Sequence, residues 1–127
     1  MADNIGPFHL ADFTTRTHER LGDMLASRRI DSIVGVKNLL DLTPIVDDEA
    51  YEEAIRAVLD DENVDVGVIG CVPMTGALQT VTPDETHGED LTDEASIVRR
   101  LIRLHRESRK AWVGVVDAGP LYDPMVD

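Results

Sequence analysis

The feature that most constrains this chain is an alternation between short apolar runs of strand length and longer segments with helical periodicity. The runs are rich in β-branched residues, as buried strands are, and they occupy Ser32 to Val36, Val64 to Cys71 and Ala111 to Asp117. A helical segment precedes each run, over Asp12 to Ser27, over Glu49 to Leu59, and from Thr92 or Asp93 to about Ser108. Adjacent strands that are joined through a helix must be parallel. The order therefore predicts an α/β fold with a three-layer, open parallel sheet of Rossmann or flavodoxin type.

Length limits the organisation to one domain. The chain has 127 residues, of which 43% are hydrophobic, so it can bury one core of moderate size. Three strands are few for an open sheet, the first element is a helix, and the residues from Tyr122 to Asp127 come just after the last run. We therefore expect a single domain over residues 1–127 that is incomplete at both ends.

Charge and cysteine content exclude several classes of function. The 25 acidic and 12 basic residues give a net charge of -13, which repels phosphate backbones and anionic lipid headgroups. Cys71 is the single cysteine and lies in an apolar run, so we expect a reduced, buried thiol. The sequence has neither a membrane-spanning run nor a signal peptide. The prediction is a cytoplasmic protein that binds no nucleic acid and no membrane.

Residues that could carry chemistry are expected just after each strand, because open α/β sheets bind ligands beyond the carboxyl ends of their strands. These positions are Asn38 to Pro44, Val72 to Gly76 and Asp117 to Pro120. The loop from Val72 to Asp90 is longer than most connections in compact domains, which favours either function or disorder. The chain contains no GxGxxG, GxxxxGK[ST], GxSxG or HExxH motif. The sequence therefore predicts no catalytic residue and no bound cofactor for this chain.

Metal binding is also disfavoured by the spacing of the ligand-type residues. The four histidines are scattered, and only His87 lies in a loop with carboxylates nearby. Asp47, Asp48 and Glu49 could hold Mg²⁺, but carboxylates at a helix start are explained by capping and by the helix dipole. We expect no metal site.

Several short motifs occur in the order and at the spacing found in one family. They are Asn38-Leu39-Leu40-Asp41-Leu42-Thr43-Pro44, then Asp48-Glu49-Ala50-Tyr51-Glu52-Glu53-Ala54, Asp61-Glu62-Asn63-Val64-Asp65, and Val72-Pro73. Together they resemble the last flavodoxin-like domain of the NDP-forming acyl-CoA synthetases, relatives of succinyl-CoA synthetase and ATP-citrate lyase. The resemblance extends over nearly the whole chain, from Asp3 to Trp112.

The resemblance implies a supporting role in a larger enzyme. In that family a phosphohistidine of another domain carries phosphate between an acyl phosphate and a nucleotide, with CoA, ATP and Mg²⁺ bound elsewhere in the parent. The domain resembled here forms part of the subunit interface and one wall of the phosphate site. The implied partners are the CoA-binding and ATP-grasp domains or subunits, with a homodimer as a further option.

The resemblance also points to site residues. Asn38 and Asp41 would order one loop, on which Thr43 is a further candidate, while Thr75 and Gly76 would offer hydrogen-bond donors near an anion. Ordinary turn chemistry explains the same residue types equally well.

Two departures from the family pattern bear on this expectation. Leu39 replaces the usual proline. The strand and glycine-rich turn that open the family domain, and a strand that follows it, also have no counterpart here. The chain is therefore expected to be a fragment that is inactive alone.

A second hypothesis belongs to a different class of function. A truncated sheet exposes an unpaired edge that can pair with another chain. The chain would then be a stand-alone interaction module of Rossmann-like fold.

Overall fold

The computed structural model describes residues 6–126 and contains three α-helices and a small parallel sheet. The elements in chain order are α1 (Thr15–Ser27), α2 (Asp48–Leu59), β1 (Val66–Cys71), α3 (Ile97–Glu107), β2 (Ala111–Val116) and a 3-10 helix (Pro120–Met125). The two strands are parallel and in register from Val66 beside Ala111 to Cys71 beside Val116. The fold is thus mixed helix and strand, and its two-stranded sheet is compatible with the α/β class.

The strand predicted at Ser32 to Val36 is wrong. The segment forms a turn and then irregular backbone, because the amides of Ile33 and Val34 both donate to the carbonyl of Ile30, each at 3.0 Å. Both amides therefore donate within the turn and do not pair with a neighbouring strand. Val34 is nevertheless buried, packing into the core between α1 and α2. The apolar content of this segment therefore reflects burial and not strand pairing.

The predicted start of the third helix is also displaced. Helix α3 begins at Ile97 and is capped by Ser96, whereas the sequence indicated a cap at Thr92 or Asp93. The carboxylates of Asp90 and Asp93 accept hydrogen bonds from amides two residues ahead, at 2.8 and 2.7 Å. Such local turns compete with the helix, so the helix begins only after them.

The helices lie on one face of the sheet. Ile55 and Leu59 of α2 and Leu104 of α3 form a buried cluster that packs against Ile69 and Trp112 of the two strands. Helix α1 packs against α2 through a second cluster that includes Leu21, Leu25 and Ala50. Within residues 6–126, no helix or strand covers the opposite face of the sheet.

A buried carboxylate joins the start of α1 to the end of α2. Asp61 accepts hydrogen bonds from the Thr14 amide and hydroxyl, at 2.8 and 2.9 Å, and from the Asn63 amide, at 2.9 Å. Burial by itself would raise the pKa of Asp61, but hydrogen bonds from Thr17, Asn63 and Thr14 outweigh it and lower this pKa to about 2. Asp61 therefore remains ionised in the folded protein at neutral pH.

Ion pairs connect α2 to α3. Glu52 is buried and pairs with Arg56, at 2.8 Å, and with Arg100 of α3, at 2.7 Å. Arg56 also pairs with Glu107, at 2.7 Å. Burial would raise the pKa of Glu52, but the hydrogen bonds from the two guanidinium groups lower it. The network holds the two helices side by side beneath the sheet.

Candidate functional site at the carboxyl edge of the sheet

Asp48, the first residue of α2, gathers three segments at the carboxyl edge of the sheet. Its Oδ1 accepts hydrogen bonds from the Gln79 amide, at 3.1 Å, and from the Ile97 amide, at 2.6 Å. The start of α2, the loop after β1 and the start of α3 therefore meet at one buried carboxylate. From the sequence, Asp48 is a possible Mg²⁺ ligand that capping and the helix dipole explain well enough. Its bonds to distant segments have no signal in the local sequence.

One first-turn amide of α2 and two of α3 are already used by side chains of this chain. Asp47 accepts from the Ala50 amide at 2.8 Å, and Ser96 accepts from the Arg99 amide at 3.3 Å. The Asp48 carboxylate occupies the Ile97 amide. A helix start attracts an external anion through its free amides and its positive dipole end. Here Asp47, Asp48 and the Ser96 hydroxyl already accept hydrogen bonds from these amides. An anion at this edge would therefore depend on donors from the loop.

The loop from Val72 to Asp90 is folded back on itself. Glu89 accepts from the Thr80 amide, at 3.0 Å, and from the Thr80 hydroxyl, at 3.2 Å. The Pro73 carbonyl lies 3.0 Å from the same hydroxyl, so the single hydroxyl proton is shared between the two acceptors. The Leu91 amide donates to the Val81 carbonyl at 2.9 Å. Thr80 is almost fully buried, so this loop is packed against the domain.

Thr75 and Gly76, the expected anion donors, lie in the first turn of that loop. The Thr75 amide donates to the Pro73 carbonyl at 2.8 Å. The Thr75 hydroxyl is buried and has no hydrogen-bond partner among the described residues. Gly76 is exposed, and a side chain added there would meet no atom within 4 Å. The turn therefore has one unused hydroxyl and open space beside it.

Asn38, Asp41 and Thr43 form a separate group. The Asn38 side-chain amide donates to the Ala11 carbonyl at 3.1 Å, which ties this loop to the segment before α1. Asp41 accepts from the Thr43 amide at 2.9 Å. Thr43 has a positive φ of 60°, which is uncommon for a β-branched residue, and its hydroxyl is buried without a partner in the described part of the chain.

No hydrogen bond among residues 6–126 joins the Asn38-Asp41-Thr43 group to Thr75 or Gly76. The hydrogen bonds of Asn38 and Asp41 lie within their own loop and towards the segment before α1. The two groups therefore lie in separate loops, and no hydrogen bond among the described residues joins them.

Tyr51 and Cys71 lie on the inner side of the carboxyl edge. The Tyr51 hydroxyl donates to the Gly70 carbonyl of β1, and burial raises the pKa of Tyr51 above its ordinary value. Cys71 is buried, and burial together with the charge of Asp48 raises the pKa of its thiol to about 11. Both groups are therefore protonated at neutral pH, and neither is activated as a nucleophile.

A cleft lies at the opposite, amino edge of the sheet. It has a volume of about 330 Å³ and is lined by residues that include Arg56, Glu107 and Lys110. Arg56 is paired with Glu52 and Glu107, and the Lys110 ammonium donates to the Asp61 carbonyl. Arg56 and Lys110 are thus engaged with this chain's own oxygens.

Metal ligands do not converge anywhere in the described part of the chain. No group of three or more His, Cys, Asp or Glu side chains within residues 6–126 could hold a metal ion. His87, in the acidic part of the long loop, is exposed.

Over the same residues, no helix combines the length and the apolar character needed to cross a membrane.

Comparisons of the chain with protein-family models, with curated proteins and with solved structures gave no match.

Proposed function

We propose that this chain is a non-catalytic part of an NDP-forming acyl-CoA synthetase. The parent would convert an acid, CoA and ATP to acyl-CoA, ADP and phosphate through a phosphohistidine of another domain. The chain would supply interface surface and the loops on the anion side of that site. It would work in the cytoplasm with CoA-binding and ATP-grasp partners, and its two strands would belong to a larger open sheet of flavodoxin type.

The observation that best supports this proposal is the convergence of segments on Asp48. One buried carboxylate holds the long loop against the starts of α2 and α3, so the Val72 to Gly76 turn has a fixed position at the carboxyl edge. Ligand sites of open α/β sheets lie at this edge. An ordered edge without a nucleophile fits one wall of a site whose reacting groups come from elsewhere.

The chain's own contribution to an anion is limited to the turn after β1. The Thr75 hydroxyl is buried without a partner among the described residues, and Gly76 leaves room for close approach. The carboxylates at the helix starts repel an anion, and the net charge of -13 adds to this effect. We therefore assign CoA, ATP and Mg²⁺ to the partner domains.

The test is an assay of acyl-CoA formation with acetate and a panel of other acids, ATP, Mg²⁺ and CoA. It compares the chain alone with the complete product of its gene. Activity only in the complete product supports the proposal. Activity of the chain alone contradicts the non-catalytic role, and no activity in either contradicts the family assignment.

A matched pair of variants in the complete product tests the role of the turn. Thr75→Val removes the unpaired hydroxyl at nearly constant volume, and we expect kcat/KM to fall by about tenfold, as for the loss of one hydrogen bond to a charged group. Thr82→Val changes an exposed threonine of the same loop and should leave kcat/KM unchanged. Equal effects of the two variants would contradict a role for Thr75.

A stand-alone interaction module is the second candidate. It is favoured by the sheet itself, because each strand of the two-stranded sheet has one edge that pairs with no other strand within residues 6–126. A soluble, inactive gene product that ends where this chain ends, and that associates with another protein, would favour this candidate.

A further inference from the structure

The face of the sheet that points away from the helices is entirely apolar. Val68 and Val113, side by side in the register, are 74% and 56% exposed. Side chains alternate between the two faces of a strand, so this outer face comprises Val66, Val68, Gly70, Ala111, Val113 and Val115. All six are exposed. Parallel sheets are normally covered on both faces, so we expect another polypeptide segment to cover this face.

We propose that the outer valine face, as defined by these six residues, binds an amphipathic α-helix of a partner protein with an apolar stripe and lysine or arginine beside it. This proposal does not depend on the synthetase assignment.

The dimensions of the face favour a helix. Two strands of six residues give a patch about 20 Å long and about 10 Å wide, from the rise per residue and the strand spacing. A helix is about 10 Å in diameter, and about 13 residues span 20 Å. One helix therefore covers the patch completely.

A second copy of the chain fits the face less well. The patch offers about 200 Å² of footprint, from the same dimensions, whereas a stable dimer buries about 800 Å² on each partner. Each copy also has a net charge of -13, so two copies repel each other.

The charge of Asp117 indicates which residue type should lie beside the apolar stripe of the partner helix. Asp117 follows β2, continues the alternation of Val113 and Val115 and is exposed. It makes no ion pair with any described residue. At the other end of the face, the Lys110 ammonium is directed to the Asp61 carbonyl. A basic residue on the partner helix would pair with Asp117 at the carboxyl end.

The probe is a peptide of about 13 residues, held helical by a side-chain cross-link, with a Leu/Ala stripe flanked by lysine. A control peptide has the same stripe flanked by glutamate. Binding is followed by the valine methyl and backbone amide NMR signals of the full chain. We expect the lysine peptide to shift the signals of the outer valine face and to bind about tenfold more tightly than the glutamate peptide.

Variants of the chain locate the contact and test the charge. Val68→Thr keeps a β-branched side chain and should weaken lysine-peptide binding by about tenfold. Ile33→Thr changes an exposed apolar position outside the sheet and should not weaken it. Asp117→Lys should reverse the preference between the two peptides. Val68 is so exposed that its substitution should not prevent folding, which urea unfolding checks.

Four outcomes would overturn the proposal. The first is the absence of methyl shifts at about 1 mM lysine peptide, which would mean a Kd well above about 1 mM. The second is equal weakening by Val68→Thr and Ile33→Thr. The third is shifts confined to the outer edge amides of β1, which would mean strand pairing. The fourth is a dimer in sedimentation that Val68→Thr dissociates, which would make a second copy the occupant.

Discussion

Replacement of Asp48 by alanine tests whether one carboxylate holds the carboxyl edge together. The substitution removes the acceptor of the Gln79 and Ile97 amides, and Ile97 is fully buried. A hydrogen bond to a charged group contributes about 1.5–3 kcal/mol, and a buried donor left unpaired costs about 1–3 kcal/mol. Water can reach Gln79, which is only partly buried. We therefore expect the free energy of unfolding to fall by about 3 kcal/mol, mostly through Ile97.

The assay is urea unfolding followed by the fluorescence of Trp112, the single tryptophan, which packs against the buried cluster of α2 and α3. With a urea dependence of about 1–3 kcal/mol/M for a small domain, the midpoint should fall by about 1–3 M. Asp48→Asn keeps an acceptor oxygen but loses the charge, and it should cost about 1 kcal/mol. Glu49→Ala, at the neighbouring exposed position, is the matched control and should cost less than about 0.5 kcal/mol.

Hydrogen exchange provides the second measurement if Asp48→Ala is too unstable to study. In Asp48→Asn the Ile97 amide should exchange faster than in the wild type, while the Leu104 amide in the body of α3 should keep its protection. Equal midpoints for Asp48→Ala and Glu49→Ala, or an unchanged Ile97 amide, would refute the reasoning.

Three further predictions concern charge, packing and reactivity. The pKa of Asp61, about 2 against an ordinary 3.8, is lower in the folded state, so its stabilisation is present above pH 3.8 and is lost as the pH falls towards 2. Urea unfolding should show wild type more stable than Asp61→Asn by about 1–2 kcal/mol at pH 7, with the difference vanishing near pH 2; a pH-independent difference would contradict this. Gly67→Ala places a Cβ 2.8 Å from Leu59 Cδ2 and should destabilise the protein by about 1–3 kcal/mol, whereas Gly70→Ala meets open space and should change the unfolding midpoint little; similar midpoints would contradict the tight packing at Gly67. Cys71, whose pKa is raised to about 11, should react with a thiol reagent at pH 7 only at the rate at which the protein unfolds, and rapid reaction of the folded protein would contradict its burial.

Helix α2 and the strands β1 and β2 could be predicted from the sequence, because their patterns agree with their tertiary surroundings. Helix α2 has carboxylates at its start and an apolar face, and its observed beginning differs from the predicted one by a single residue. For α1 the sequence offers Asp12, Thr14 and Thr15 as caps, and in the structure the cap is Thr14.

The first apolar run shows where sequence reasoning failed. A short β-branched run is equally compatible with a strand and with a buried irregular segment. The turn at Ile30 uses the amides of Ile33 and Val34, and this could not be read from their residue types. The expected three-layer sheet depended on this run, so the structure supports only the coarser α/β description.

The candidate site, like the fold, could be predicted from the sequence only in part. The sequence indicated that polar residues follow the strands, and it singled out Thr75 and Gly76 from the family resemblance. It gave no indication that the Asp48 carboxylate would bond to amides 31 and 49 residues away. The functional assignment itself remains a prediction that the assays above test.

By itself the sequence determined the acidic charge, the apolar runs and the periodicity of the helices, because these properties depend on residue type and local spacing. Only the tertiary structure decided which runs pair, which carboxylates are buried and which valines stay exposed. The physical reason is that hydrogen bonding and burial depend on the partners that folding brings together. Those partners lie far apart in the chain.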